Sequence, residues 1–138
     1  MQRRILVTCG LIERDGNYLI VQRGGTSRHA LKWEFPGGKL ESGETLEICM
    51  ARELKEELTI DVLVHQRLES VIRLDGELIL ELVPFFCTIV GGKIRLLEHL
   101  NMAWVDVKKP IVQKLCAGDY LIAKQLAAHN PKENYGTP

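Results

Sequence analysis

The stretch ETLEICMARELKEEL, Glu44 to Leu58, most constrains what this chain folds into, because it has the period of a helix whose apolar stripe contains carboxylates. With Leu46 at zero and about 100° per residue, Met50, Leu54 and Leu58 fall at roughly 40°, 80° and 120°, and Cys49 near 300°. Glu53 and Glu57 fall at about 340° and 20°, inside that face, and Glu56 borders it at about 280°. Acidic runs commonly mark a solvated helix end. That reading is poor here, since carboxylates three and four residues apart repel and the negative end of the helix dipole lies close by. Arg52 and Lys55 offset part of the repulsion but cannot occupy the same narrow face. A hard divalent cation reverses the sign, because Mg²⁺ binds carboxylate oxygens and bridges them to phosphates.

The remaining composition bounds the setting. A chain of 138 residues suits one domain that buries roughly 68% of its unfolded surface. Eighteen basic residues balance eighteen acidic ones, so no global field recruits nucleic acid or an anionic membrane. No apolar run approaches the roughly 20 residues that span a bilayer. Cys9, Cys49, Cys87 and Cys116 lie far apart in apolar contexts, and neither they nor the scattered histidines show zinc-ligand spacing. Reduced core thiols in a cytoplasmic protein are expected.

Along the chain, Arg4–Arg14 and Asn17–Arg23 are β-branched-rich runs joined by Asp15-Gly16, a hairpin signal. Gly24 to Lys32 has no period and is expected as a loop, followed by the short extended piece WEFPGGK. After the Glu44–Leu58 helix, Asp61–Leu74 and Glu77–Val90 form a second hairpin-like pair around Asp75-Gly76. Asn101–Val107 is another strand, Pro110 opens one or two helical turns to Cys116, and a last helix runs from Asp119 to His129. Residues 1–130 are expected as a single α+β domain, with 131–138 a flexible polar tail.

Gly38, five residues, Glu44, seven residues, then Arg52-Glu53-Leu54-Lys55-Glu56-Glu57-Leu58-Thr59-Ile60 resembles the Nudix box, Gly-x5-Glu-x7-Arg-Glu-U-x-Glu-Glu-x-Gly-U, with U a bulky aliphatic. Thr59 stands where the pattern has Gly, which bears on the helix C-cap rather than on the ligand set. WEFPGGK before the box, Glu98 before the AWV strand and a closing helix extend the likeness toward the MutT-type pyrophosphohydrolases.

The resemblance implies the Nudix fold, a mixed β-sheet between helices in an α/β/α arrangement. It implies hydrolysis of a nucleoside triphosphate to the monophosphate and pyrophosphate. It also implies Mg²⁺, with Mn²⁺ a substitute, on Glu53, Glu56, Glu57, Glu98 and the Gly37 carbonyl. By the same likeness Glu53 activates water, Arg52 orients Glu53, Glu44 supports the loop and helix start, and Glu98 serves as ligand or base. Arg23 and Lys39 are expected phosphate contacts, Phe35 lies beside the base and Asp119 reads it. Each has a plainer reading: a surface acid for Glu98, surface cations for Arg23 and Lys39, a core aromatic for Phe35, a helix N-cap for Asp119.

An ionised Asp119 accepts only, which suits the amino group of cytosine or guanine, while a protonated one donates to a carbonyl. Nucleotide-pool sanitation with 8-oxo-dGTP as first substrate is the expectation, with cytosine nucleotides or another nucleoside diphosphate derivative as alternatives. A non-catalytic nucleotide-binding regulator is the competing class, and the presence of all three box glutamates argues against it. Oligomeric state is not encoded in any of these features.

Overall fold

The computed structural model describes residues 3–26 and 29–129. Ser27, Arg28 and the tail expected at 131–138 lie outside the described residues. The elements are β1 (Arg3–Arg14), β2 (Asn17–Gln22), β3 (Trp33–Glu34), α1 (Leu46–Leu58), β4 (Ile60–Arg67), β5 (Val71–Asp75), β6 (Leu78–Gly92), β7 (Met102–Val105) and α2 (Ala117–Ala127).

They form one mixed seven-stranded sheet in the order β3-β2-β1-β6-β4, with β5 also on β6 and β7 on β2. β1 runs parallel to β6 from Arg3↔Leu78 to Ile12↔Cys87. The Asp15-Gly16 turn has φ of 53° and 85°, the left-handed geometry that joins β1 tightly to β2. Past the hairpin β1 leaves β2, and the segment after β3 takes its place. Gly10 N–H donates to Pro36 O, Thr8 N–H to Gly38 O and Leu40 N–H to Leu6 O. The Gly37-Gly38 loop is thereby fixed along β1.

Strand alternation builds two cores. Cys9, Leu11, Tyr18, Ile20, Leu80, Leu82 and Phe86 face α2 through Ile122, Ala123 and Leu126. Ile12, Leu19, Val21, Val83, Phe85 and Cys87 face α1 through Met50, Leu54 and Leu58. Each fully buried large apolar side chain contributes roughly 1.5–3 kcal/mol relative to its exposed state. The layers are helix, sheet, helix, as the resemblance to the Nudix box implies.

Three local expectations are corrected. The expected strand from Asp61 to Leu74 is two strands, both antiparallel to β6, because the register shifts between Val64 and Arg67 and Leu68 N–H bonds Pro84 O. The stretch from Pro110 to Cys116 is not helical: Trp33 N–H donates to Lys114 O and Cys116 N–H to Trp33 O, so it extends the β3 edge instead. The last helix begins at Ala117, which places Asp119 inside its first turn.

Candidate active site

α1 starts where Thr45 Oγ1 accepts the Ile48 N–H at 3.1 Å, and it buries Cys49, Met50, Leu54, Glu57 and Leu58. Glu57 thus lies in the apolar face, as the periodicity requires. At the other end Thr59 caps the helix at φ 62°, the left-handed conformation that glycine usually supplies. Its hydroxyl donates to Lys93 O at 2.6 Å, tying the cap to the chain that leaves β6.

Two glycines permit close approach on the facing loop. A Cβ on Gly37, whose φ is 156°, would meet the Thr8 carbonyl oxygen at 1.9 Å. A Cβ on Gly38 would meet the Glu53 carboxylate at 2.3–2.5 Å. Gly37 N–H donates to Glu57 Oε2 at 3.1 Å. Glu53 and Glu57 therefore rest directly against this loop.

Arg52 organises the remainder. Its Nε and Nη2 bond both oxygens of Glu44, at 2.9 and 2.7 Å, and Nη2 also bonds Lys39 O at 3.1 Å. Nη1 lies 3.0 Å from Glu53 Oε1 and 3.1 Å from Glu56 Oε2, so in this conformation Arg52 is the cation those two acids share. The bidentate pair holds the Glu44 carboxyl down at about 2. Glu98 rides on the loop after β6, anchored where Leu97 N–H donates to Glu57 O and Leu100 N–H to Gln22 O. Its charge and that of Glu53 reach Glu57.

These residues fit a divalent cation. Glu57 is 5% exposed with the uncharged Gly37 amide against its carboxylate. Burial, then the charges of Glu53, Glu98 and Glu34, push its carboxyl up to about 9. A buried carboxylate among carboxylates calls for an added positive charge, and the oxygen-only donor set suits a hard ion.

A cavity of 480 Å³ opens beside this cluster, and its lining includes Gly37, Gly38, Lys39, Glu57 and Glu98. Arg23, Glu34, Phe35, Arg73, His99 and Asp119 line it as well. Lys39 is exposed. Arg23 Nη1 is 2.8 Å from Glu34 Oε1, so it shares its charge with that carboxylate. Phe35 is 2% exposed and packs in the α2-side core while also bordering the cavity.

Asp119 does not cap α2. Cys116 is the N-cap and makes no side-chain cap bond, while Asp119 Oδ1 accepts the Phe35 N–H at 2.9 Å. Burial first, then the Glu34 charge, push the Asp119 carboxyl up to about 7. Of the residues singled out from the sequence, Arg23, Phe35, Gly37, Lys39, Glu57, Glu98 and Asp119 line the cavity. Glu44, Glu53 and Glu56 do not line it and are held together by Arg52, with Glu56 54% exposed at the side chain.

Glu34, Arg73 and His99 were not foreseen. Glu34 Oε2 lies 3.2 Å from His99 Nε2, a contact between residues 65 apart in sequence, and Arg73 comes in from β5. Only the polar character of Glu34 and Arg73 within otherwise apolar strand patterns signals them.

A family model, the NUDIX domain, matches residues 2–123. The CTP pyrophosphohydrolase of Escherichia coli is 32% identical over 117 residues, covering 85% of this chain and 87% of that protein. The 8-oxo-dGTP diphosphatase of Haemophilus influenzae is 35% identical over 93 residues, 66% of each chain. Among solved structures, the Escherichia coli ORF135 protein superposes with a TM-score of 0.82 at 29% identity, over 96% of this chain and 94% of that one. The MutT protein of Methanosarcina mazei gives 0.81 at 27% identity, over 90% and 93%. With the box acids gathered on the Gly37-Gly38 loop and a family model spanning nearly the whole length, the chain belongs to the Nudix hydrolase family.

Proposed function

We propose that this protein hydrolyses (deoxy)nucleoside triphosphates to the nucleoside monophosphate and pyrophosphate in the presence of Mg²⁺, with cytosine nucleotides as the class that fits best. The observation that carries the reading is the lining of a single cavity. It combines the carboxylates of Glu57 and Glu98 and the cation of Lys39 with Arg73 and the buried Asp119.

Glu53, Glu56, Glu57 and Glu98, with the Gly37 carbonyl, are the residues that would hold the ion. A bound divalent cation neutralises polyphosphate charge and acidifies water. Glu53 accepts the proton of the attacking water, held in place by Arg52, which Glu44 fixes in turn. Lys39 and Arg23 offer fixed positive charge to the phosphates. Phe35 packs beside the base.

Cytosine presents an amino donor next to ring-nitrogen and carbonyl acceptors. The Asp119 carboxylate suits the former and the Arg73 guanidinium the latter. A relative named CTP pyrophosphohydrolase, matched over most of both chains, supports this choice. The second reading, 8-oxo-dGTP, draws on the Asp119 carboxyl titrating at about 7, since its protonated form donates to a carbonyl. It also draws on a relative named for that substrate.

The test is a panel of CTP, dCTP, dGTP and 8-oxo-dGTP with Mg²⁺, scored for pyrophosphate against phosphate release. Pyrophosphate release with the highest kcat/KM on a cytosine nucleotide is expected. Release of phosphate alone overturns the reaction, and a preference for 8-oxo-dGTP replaces the base assignment.

A further inference from the structure

We propose that Glu34, Cys116 and Asp119 form a second cation site, beside the cavity that Glu34 and Asp119 line, that takes a thiophilic divalent ion of the Zn²⁺ or Cd²⁺ class rather than Mg²⁺. One ligand atom from each residue lies within 4.8 Å of the other two. In a tetrahedral zinc site with bonds of roughly 2.0–2.3 Å, ligand atoms sit about 3.3–3.8 Å apart. A contraction of about 1 Å, within reach of side-chain rotation, closes this group on an ion and leaves a fourth position for water.

The arrangement is built into the fold. Cys116 N–H bonds Trp33 O at 2.8 Å, next to Glu34 in β3, and Phe35 N–H bonds Asp119 Oδ1 at 2.9 Å. The strand that carries Glu34 is thus tied on both sides to the helix start that carries the other two. The Cys116 thiol is a second, independent sign of a ligand. It is 2% exposed and has no hydrogen-bond partner among the described residues.

The donor set decides the ion. One thiolate and two carboxylates favour a borderline ion such as Zn²⁺, whereas the all-oxygen cluster on α1 favours a hard one. Burial, with the charges of Asp119 and Glu34, pushes the Cys116 thiol up to about 11, so ion binding releases its proton to solvent. Arg23 and His99 already contact Glu34, at 2.8 and 3.2 Å, and the ion has to share that carboxylate with them. Cysteine spacing in the sequence gives no hint of this, because the three ligands come from opposite ends of the chain. If Asp119 reads the base, as proposed above, an ion here competes with the nucleotide.

The experiment is a CdCl₂ titration of the metal-free chain, read by the ultraviolet charge-transfer band of a Cd²⁺–thiolate bond. One equivalent of Cd²⁺ should saturate the band, and a large excess of Mg²⁺ should leave it in place. Cys116→Ser should abolish it, and serine at that N-cap favours the fold. Glu34→Gln should weaken Cd²⁺ binding about tenfold or more. Should Cys116→Ser fail to fold by circular dichroism, Glu34→Gln decides: unchanged affinity there overturns the site. No band in the native chain, or an unaltered band in folded Cys116→Ser, overturns it too, the latter by assigning the thiolate to Cys9, Cys49 or Cys87. The optical readout is independent of substrate, so its failure is distinct from failure of the proposed reaction.

Discussion

Glu57 Oε2 accepts the Gly37 N–H at 3.1 Å, joining the last turn of α1 to the loop that precedes the helix. Glutamine at 57 keeps an oxygen for that bond while removing a buried carboxyl that, without metal, has to take up a proton to fold at neutral pH. Glu57→Gln is therefore expected to fold and, without metal, to be at least as thermostable as the native chain. The native chain should gain stability from MgCl₂, by about 2.7 kcal/mol at a hundredfold excess over Kd, and the variant should gain much less. Thermal melts with and without MgCl₂ measure this. Equal Mg²⁺-dependent shifts in both proteins would remove Glu57 from the ligand set.

The contact between Gly38 and Glu53 separates chemistry from folding. Glu53→Gln should lower kcat by several orders of magnitude with the fold intact, because it removes an anionic ligand and base together. Glu98→Gln should cost less, since Glu98 sits on an exposed loop. Gly38→Ala should reproduce most of the Glu53→Gln loss, because its methyl would enter the Glu53 carboxylate at 2.3 Å and displace that side chain. Gly37→Ala should instead fail to fold, since its methyl meets backbone at 1.9 Å. Turnover at saturating Mg²⁺ alongside thermal melts distinguishes the four. A fully active Gly38→Ala would show that the loop does not position Glu53.

Thr59 tests how the chain tolerates its departure from the family pattern. Holding a non-glycine residue at φ 62° costs roughly 1–2 kcal/mol, while the hydroxyl bond to Lys93 O returns about 1 kcal/mol. Thr59→Gly exchanges one for the other and should change stability by about 1 kcal/mol or less. Thr59→Ala keeps the strain, loses the bond and should be less stable than both. Urea unfolding of the three proteins gives the ranking, and an alanine variant as stable as the native chain would deny the hydroxyl its role.

Thr59 also marks the limit of what the sequence makes legible. Its mismatch to the box is visible at once, but its compensation by Lys93, 34 residues away, is not. Glu57 is legible because helical period alone places it on the buried face. The two-layer core follows from alternation in β1, β2 and β6, where each residue's side is fixed by its neighbours. Partnerships across the sheet carry no local signal: Glu34 with His99, and Phe35 with Asp119 across 84 positions, exist only once β3 has docked. The same docking explains the segment from 110 to 116, whose helix-opening proline is overridden by two backbone bonds to Trp33. Asp61–Leu74 reads as one strand because the interruption comes from its partner: Leu68 N–H bonds Pro84 O of β6, where the register shifts.

Asp119 supports a prediction with two separate readouts. Its carboxyl has a usual value of 3.8 and is pushed up to about 7 by burial and the Glu34 charge. The unfolded chain therefore ionises near pH 4 while the folded chain holds its proton until about pH 7. Stability falls through that window, by on the order of 4 kcal/mol from this group, and levels off above it. Asp119→Asn keeps an oxygen for the Phe35 N–H but cannot ionise, so its stability advantage over the native chain should grow between pH 4 and 7. Urea unfolding across that range tests the titration, and parallel curves would mean that Asp119 ionises normally in the folded protein. The base assignment makes the second readout. Asparagine both donates and accepts, so a hydrogen bond to a charged group worth roughly 1.5–3 kcal/mol is exchanged for a different pattern. The kcat/KM ranking of dCTP, dGTP and 8-oxo-dGTP should shift by about ten- to a hundredfold, with pyrophosphate still the product because the phosphate end is built from other residues. A changed pH profile with an unchanged ranking would leave Asp119 as a strut between α2 and β3 and move base recognition to Arg73 and Glu34.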